Sequence, residues 1–175
     1  MAELNNNQPR RVAEFYVDRS VFITGASGFM GKVLLEKLLY SCSGVKSVYI
    51  LMRPKRERTI ESRMEDMFKL PLFHRIQKEK PHVLKKVIPV AGDITMDGLG
   101  ISDDMRKRLS EEVSVVFHGA ATLKLESNLR DAVEMNTWGT WRVLELAKQM
   151  KNLANCSTEK VLGGLFESSG VVPGC

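Results

Sequence analysis

Short apolar runs alternate with longer amphipathic or charged stretches along most of this chain, and the alternation predicts its architecture. Ser20–Thr24 (SVFIT) is an apolar, β-rich run that ends at a glycine cluster, as a buried strand does. Lys32–Tyr40 (KVLLEKLLY) follows with leucines at helical spacing. Beyond Gly44, Ser47–Met52 (SVYILM) predicts a second buried strand. From Arg53 to Lys80 the pattern is helical and highly charged, with a break at Pro71. Val87–Ala91 (VIPVA) predicts a third strand, and its Pro89 argues for an edge position or a tolerated irregularity. A short helix with an Asp-rich start, Ser102–Leu109, leads into a fourth strand, Val113–His118 (VSVVFH).

The longest helical stretch runs from Ser127 to Met150. Leu129, Val133, Asn136, Thr140, Val143 and Ala147 recur at steps of three or four and are expected on one inward face. The fold expected is α/β: a Rossmann-like parallel sheet of about four strands, incomplete, with helices on both faces. Residues 1–18 are polar and read as a flexible N-terminal segment, 19–153 as the partial Rossmann domain, and 154–175 as an atypical tail. That tail holds only Glu159, Lys160 and Glu167 as charges, and Val161–Phe166 is at best a poor strand. Ending the sheet at strand four is expected to leave that strand with an open edge.

Composition narrows the function classes. The 175 residues carry 26 basic and 21 acidic side chains, a formal charge of +5 that is spread along the chain and gives no reason to expect nucleic acid. Three cysteines without a Cys-x-x-Cys pair argue against a disulfide framework or a zinc finger, and no metal site is expected. No apolar run approaches the roughly 18 residues of a membrane helix, and the first residues lack a signal-peptide core, so an intracellular, soluble domain is expected.

Thr24-Gly25-Ala26-Ser27-Gly28-Phe29-Met30-Gly31 is the most informative stretch. Its glycines stand where a buried strand turns into a helix. There Gly25 permits a tight turn, Gly28 lets a pyrophosphate approach the backbone, and Gly31 lets helix and strand pack closely. The helix start supplies N–H donors and a positive dipole. A phosphate-binding P-loop is excluded, because five residues rather than four separate Gly25 from Gly31 and Val33 stands where Ser or Thr is required.

The second strand ends in Arg53-Pro54-Lys55-Arg56-Glu57-Arg58 rather than in the acid that would hold the ribose hydroxyls of NAD. A guanidinium at Arg53 pairs with a 2′-phosphate, which favours NADP. Lys55, Arg56 and Arg58 are read either as part of that phosphate site or as a solvated helix start. Gly92-Asp93-Ile94 after the third strand places a carboxylate where an adenine amino group could donate. His118-Gly119-Ala120-Ala121-Thr122 after the fourth leaves room for a cofactor over the strand ends. His118 reads as a packed strand-end histidine rather than a base. Asn136 is expected to be buried and hydrogen-bonded, holding the core, fixing active-site backbone, or both.

TGASGFMG, the arginine after the second strand, GDI, HGAAT and Asn136-Thr137-Trp138-Gly139-Thr140 together resemble the extended short-chain dehydrogenase/reductase superfamily. YILMRPKRERTIESRMEDMFKLPLFHRI and VFHGAATLKLESNLRDAVEMNTWGTWRVLELAKQMKNL narrow the resemblance to the N-terminal part of the alcohol-forming fatty acyl-CoA reductases, over Val17 to Leu153. It implies NADPH-dependent reduction of a long-chain fatty acyl-CoA to a fatty alcohol through an aldehyde, on peroxisomal or endoplasmic-reticulum membranes. By the same resemblance Thr24, Gly25, Ser27, Gly28, Phe29, Met30 and Gly31 meet the pyrophosphate and Arg53 the 2′-phosphate. Asp93 and Ile94 hold the adenine, Ala120, Ala121 and Thr122 the ribose side, and Asn136 takes the family's structural asparagine role.

The chain departs from that family in its catalytic acid, a tyrosine with a lysine four residues on. Its tyrosines are Tyr16, Tyr40 and Tyr49, and four residues beyond them stand Ser20, Gly44 and Arg53. No catalytic residue is therefore assigned. Two readings follow: a reductase present here as a fragment, truncated isoform or gene-model error, or a non-catalytic NADP-binding module that acts through a partner. An NADP-using epimerase or isoflavone-reductase-like protein would need the same missing residues and lacks the segment between strands two and three.

Overall fold

The computed structural model of the protein describes residues 12–122 and 128–158. Residues 12–15, part of the segment expected to be loose, form one helical turn, α1 (Val12–Phe15). Arg19 ties it down, since its Nε donates to the Phe15 carbonyl at 2.6 Å and its guanidinium lies over the Phe15 ring. Then follow β1 (Ser20–Thr24), α2 (Phe29–Ser41), β2 (Ser47–Met52), α3 (Ile60–Phe68) and α4 (His74–Glu79). A 3-10 turn starting at Pro71 separates the last two, where the charged helical pattern breaks. β3 (Val87–Ala91), α5 (Asp103–Glu112) and β4 (Val113–His118) complete the expected strands. Ser102 caps α5, its Oγ accepting from the Met105 N–H.

The long helical stretch is observed in three parts. α6 (Leu129–Val133) passes through a π turn (Glu134–Trp138) into α7 (Gly139–Lys148). The expected single apolar face holds only after the turn: Val143 and Ala147 are buried, whereas Leu129 is 78% exposed and Val133 39%.

The sheet corrects the expected count. It has five parallel strands in the order β3-β2-β1-β4-β5, and β5 is Asn155–Thr158, read from the sequence as the start of the tail. It pairs with β4 from Val115↔Asn155 to His118↔Thr158, so the open edge expected of β4 is covered. Asn-Cys-Ser-Thr has no apolar alternation to announce a strand, and its pairing comes from the neighbour it lies beside. Val161–Phe166 lies outside the described residues. Pro89 sits on β3, at the sheet edge, as expected.

Alternate side chains of the central strands enter two separate cores. Val21, Ile23, Val48 and Ile50 pack with α2, α3 and α4 on one face. Phe22, Tyr49, Leu51 and Val116 pack with α5 and α7 on the other. β1 and β4 are neighbours, yet their connections lead to opposite faces. Their carboxyl ends therefore open a crevice where chain direction across the sheet reverses, the usual ligand position in such folds.

Candidate dinucleotide site

At the tip of β1 the chain turns through Gly25, whose φ of +77° suits glycine and strains any L side chain. A Cβ on Gly25 would also collide with the backbone of Gly119 and Ala120, and one on Gly31 with the Gly25 carbonyl. The Gly28 N–H donates to that same carbonyl at 2.9 Å, and Gly28 caps α2 in an extended conformation. The first intrahelical bond runs from Lys32 N–H to Gly28 O. The Phe29, Met30 and Gly31 N–H groups, at the first turn of α2, precede it. Phe29 and Met30 are 79% and 49% exposed, and neither lines the groove that opens over this turn.

A groove of about 620 Å³ opens over this turn. Gly25, Ser27 and Gly28 form its floor beside Gly119, Ala120 and Ala121. Arg53, Lys55 and Arg63 form a basic wall at the tip of β2, and Asp93 and Ile94 close the far end after β3. Of the expected site residues, eight line this groove: Gly25, Ser27, Gly28, Arg53, Asp93, Ile94, Ala120 and Ala121. Thr24 and Gly31 support it from beneath. Thr122 and Asn136 stand behind its wall.

The basic wall is partly ordered by its own contacts. The Arg63 guanidinium, reaching from α3, donates to the Arg53 carbonyl and so fixes the chain where it leaves β2. Arg53 Nε lies 3.8 Å from Asp93 Oδ2. The other Asp93 oxygen accepts from the Thr95 N–H and hydroxyl, both at 3.0 Å, which turns the loop after β3. Of the three cations whose role the sequence left open, Lys55 faces the groove, Arg58 pairs with Asp66 at 2.8 Å, and Arg56 does not line the groove. Arg63 and Met135 also line it and were not expected there. Arg63 stood unmarked in a charged helix, and only the docking of α3 brings it to the strand tip.

Behind the groove the polar groups are matched in detail. The Asn136 side chain clasps the Thr122 backbone, accepting from its N–H at 2.8 Å and donating to its carbonyl at 3.1 Å. Asn136 sits in the π turn, half-buried rather than buried as expected, and its side chain holds the backbone behind the groove. His118, 3% exposed, bonds Thr24 Oγ1 at 2.6 Å and Thr140 Oγ1 at 3.1 Å. Burial pushes its pKa down from 6.5 to about 4, so the ring is neutral. It reaches no groove surface, which agrees with the packed rather than the basic role. Gly139, at the start of α7, lies against the Ile94 side chain, which a Cβ there would meet at 3.0 Å. Among the described residues no cluster of His, Cys, Asp or Glu could hold a metal ion.

The chain matches, over residues 23–169, the model of an NAD-binding family described as male sterility protein. Fatty acyl-CoA reductase 1 of Gallus gallus is 44% identical over 142 residues, covering 81% of this chain and 28% of that reductase. Its Homo sapiens counterpart is 42% identical with the same coverage. Among solved structures, the terminal R domain of the myxalamid PKS-NRPS biosynthetic pathway matches with a TM-score of 0.65 and 28% identity, over 79% of this chain and 34% of that one. This chain thus spans between a quarter and a third of the length of the reductase relatives it matches. The glycine turn at the sheet's switch point is the feature a dinucleotide needs, and the chain belongs to the male sterility protein family, that of the fatty acyl-CoA reductases, with a nicotinamide dinucleotide as its cofactor.

Proposed function

We propose that this chain is the NADPH-binding portion of a long-chain fatty acyl-CoA reductase that forms fatty alcohols. The observation that carries the choice of NADPH is the wall of Arg53, Lys55 and Arg63, three cations around one end of the groove. The one carboxylate lining that groove, Asp93, is already engaged by Thr95 and faces Arg53. A 2′-phosphate carries close to two negative charges and suits this wall, whereas two ribose hydroxyls would leave it uncompensated.

The residues fit the cofactor in its other parts. Glycines at 25 and 28 leave the backbone bare where a pyrophosphate would lie, against the donors of α2. Ile94 and Asp93 offer an apolar face and an acceptor for adenine. When bound, NADPH supplies a hydride; the residues of this chain bind and orient it. The acyl thioester is the electrophile, in keeping with the named relatives. The site of action proposed is the peroxisomal or endoplasmic-reticulum membrane. No helix among the described residues is long and apolar enough to cross a membrane.

Fluorescence titration with NADPH and NADH tests the proposal. Arg53→Ala is expected to weaken NADPH by roughly 10- to 100-fold, the worth of a charge-assisted hydrogen bond, and to leave NADH nearly unchanged. Equal affinity of the unaltered chain for both cofactors, with no effect of Arg53→Ala, would refute NADPH specificity.

A further inference from the structure

We propose that His118 is a positioning residue for the dinucleotide groove, a neutral imidazole protonated at Nε2 that sets the spacing between the glycine turn beyond β1 and the Gly119–Thr122 segment beyond β4. The inference deepens the NADPH reading and rests on it. The proton positions follow from counting donors. The Thr140 hydroxyl has one proton, and it donates it to the Asn136 carbonyl at 2.7 Å. Toward His118 Nε2, 3.1 Å away, it can only accept, so Nε2 carries the hydrogen. In a neutral ring Nδ1 then accepts, and the Thr24 hydroxyl donates to it at 2.6 Å. Thr24 Oγ1 keeps a lone pair for the Ala120 N–H, which donates to it at 3.3 Å.

Every hydrogen bond in this series has one possible direction. It runs from the Ala120 N–H through Thr24 to one side of the ring, and from the other side through Thr140 to the Asn136 carbonyl. Asn136 in turn holds both backbone groups of Thr122. The ring therefore joins two groove segments to the π turn, although it lines the groove nowhere itself. Its near-complete burial opposes a second proton, which would place a donor against the Thr24 hydroxyl proton. Reversing one member would turn at least one donor toward another donor. The Thr24 hold on the Ala120 N–H would then weaken beside Gly25, whose Cβ position already meets Gly119 and Ala120.

The test uses the full chain, labelled with ¹⁵N, and reads both ring nitrogens of His118 at neutral pH alongside NADPH titration. His118→Asn identifies its signals among the three histidines. The expected spectrum has a protonated Nε2 and a bare Nδ1. Thr140→Val removes the acceptor for Nε2–H while leaving the groove lining intact. It is expected to mix the tautomers and weaken NADPH by roughly tenfold, about one buried hydrogen bond. Thr140→Ser is expected to restore both. A protonated Nδ1 in the unaltered chain overturns the proposal even if Thr140→Val does not fold. So does Thr140→Val with unchanged NADPH affinity. If the unaltered chain shows the expected tautomer but binds no dinucleotide, the NADPH reading itself has failed and the positioning role falls with it.

Discussion

A Cβ added at Gly31 would fall on the Gly25 carbonyl and the Cα of Ala26, so α2 can rest on the turn beneath it only while residue 31 has no side chain. Gly28 differs: its added Cβ would meet only the Gly25 carbonyl, at 3.2 Å, and would otherwise point into open space. The two positions should therefore separate folding from binding. Gly31→Ala is expected to cost about 1–3 kcal/mol and lower the melting temperature. Gly28→Ala is expected to melt nearly as the unaltered chain does, yet lose most dinucleotide affinity in the same titration. Gly25 and Gly31 were legible because backbone geometry admits no substitute there, and Gly28 because a strand-to-helix turn open to a pyrophosphate keeps its backbone bare. The His118 series was not, since Thr24 and His118 stand 94 positions apart and meet only across paired strands.

His118 also ties stability to pH. Its ring is neutral in the fold, with a pKa lowered to about 4 by burial, and ordinary in the unfolded chain at 6.5. Between those values the unfolded state binds the extra proton. The contribution is therefore complete above pH 6.5 and is lost as the pH falls toward 4, by about 3 kcal/mol in all. Urea unfolding at pH 7 and pH 4.5 is expected to show this loss in the unaltered chain and a shallower one in His118→Asn. Equal pH slopes for the two would refute it.

Among elements, the π turn accounts for the main departure from the sequence pattern. Steps of four, three, four, three and four put Leu129 through Ala147 on one stripe of an uninterrupted α-helix. A π turn inserts one residue, about 100° of rotation, so the stripe before it no longer faces the way it does after it. Nothing in residues 134–138 announces this. The same turn presents Asn136 to Thr122, so the irregularity coincides with the site. The α2–α4 contact was equally hidden. Glu36 is 6% exposed, and Arg75 reaches both its oxygens at 2.7 and 3.0 Å while lying over the Tyr40 ring. Arg75→Ala would leave a buried carboxylate unpaired, and a lower urea midpoint is expected. Arg75→Lys should recover little, because a single ammonium cannot reproduce the forked pairing.

For the molecule as a whole, the parallel sheet with helices on both faces was legible, because buried runs separated by helical segments imply it. β5 was not, because Asn155, Ser157 and Thr158 are polar and the segment acquires its conformation from β4. Turnover belongs to this scale. Residues from four strand ends line one groove, but no tyrosine in the chain has a lysine four residues on. The purified chain, given NADPH and a long-chain acyl-CoA, is expected to form no alcohol by gas chromatography. Alcohol above the level without protein would show that another proton donor serves.

Pro89 gives the sheet a direction of growth. It pairs opposite Ile50 in an unbroken run from Val87 to Ala91, so its missing N–H faces away from β2. A strand arriving on that side would find no donor midway along its ladder. Among the described residues, β5 itself contains no proline. Any lengthening of the sheet, within one chain or between two, is thereby kept away from the β3 margin, whose carboxyl end closes the groove.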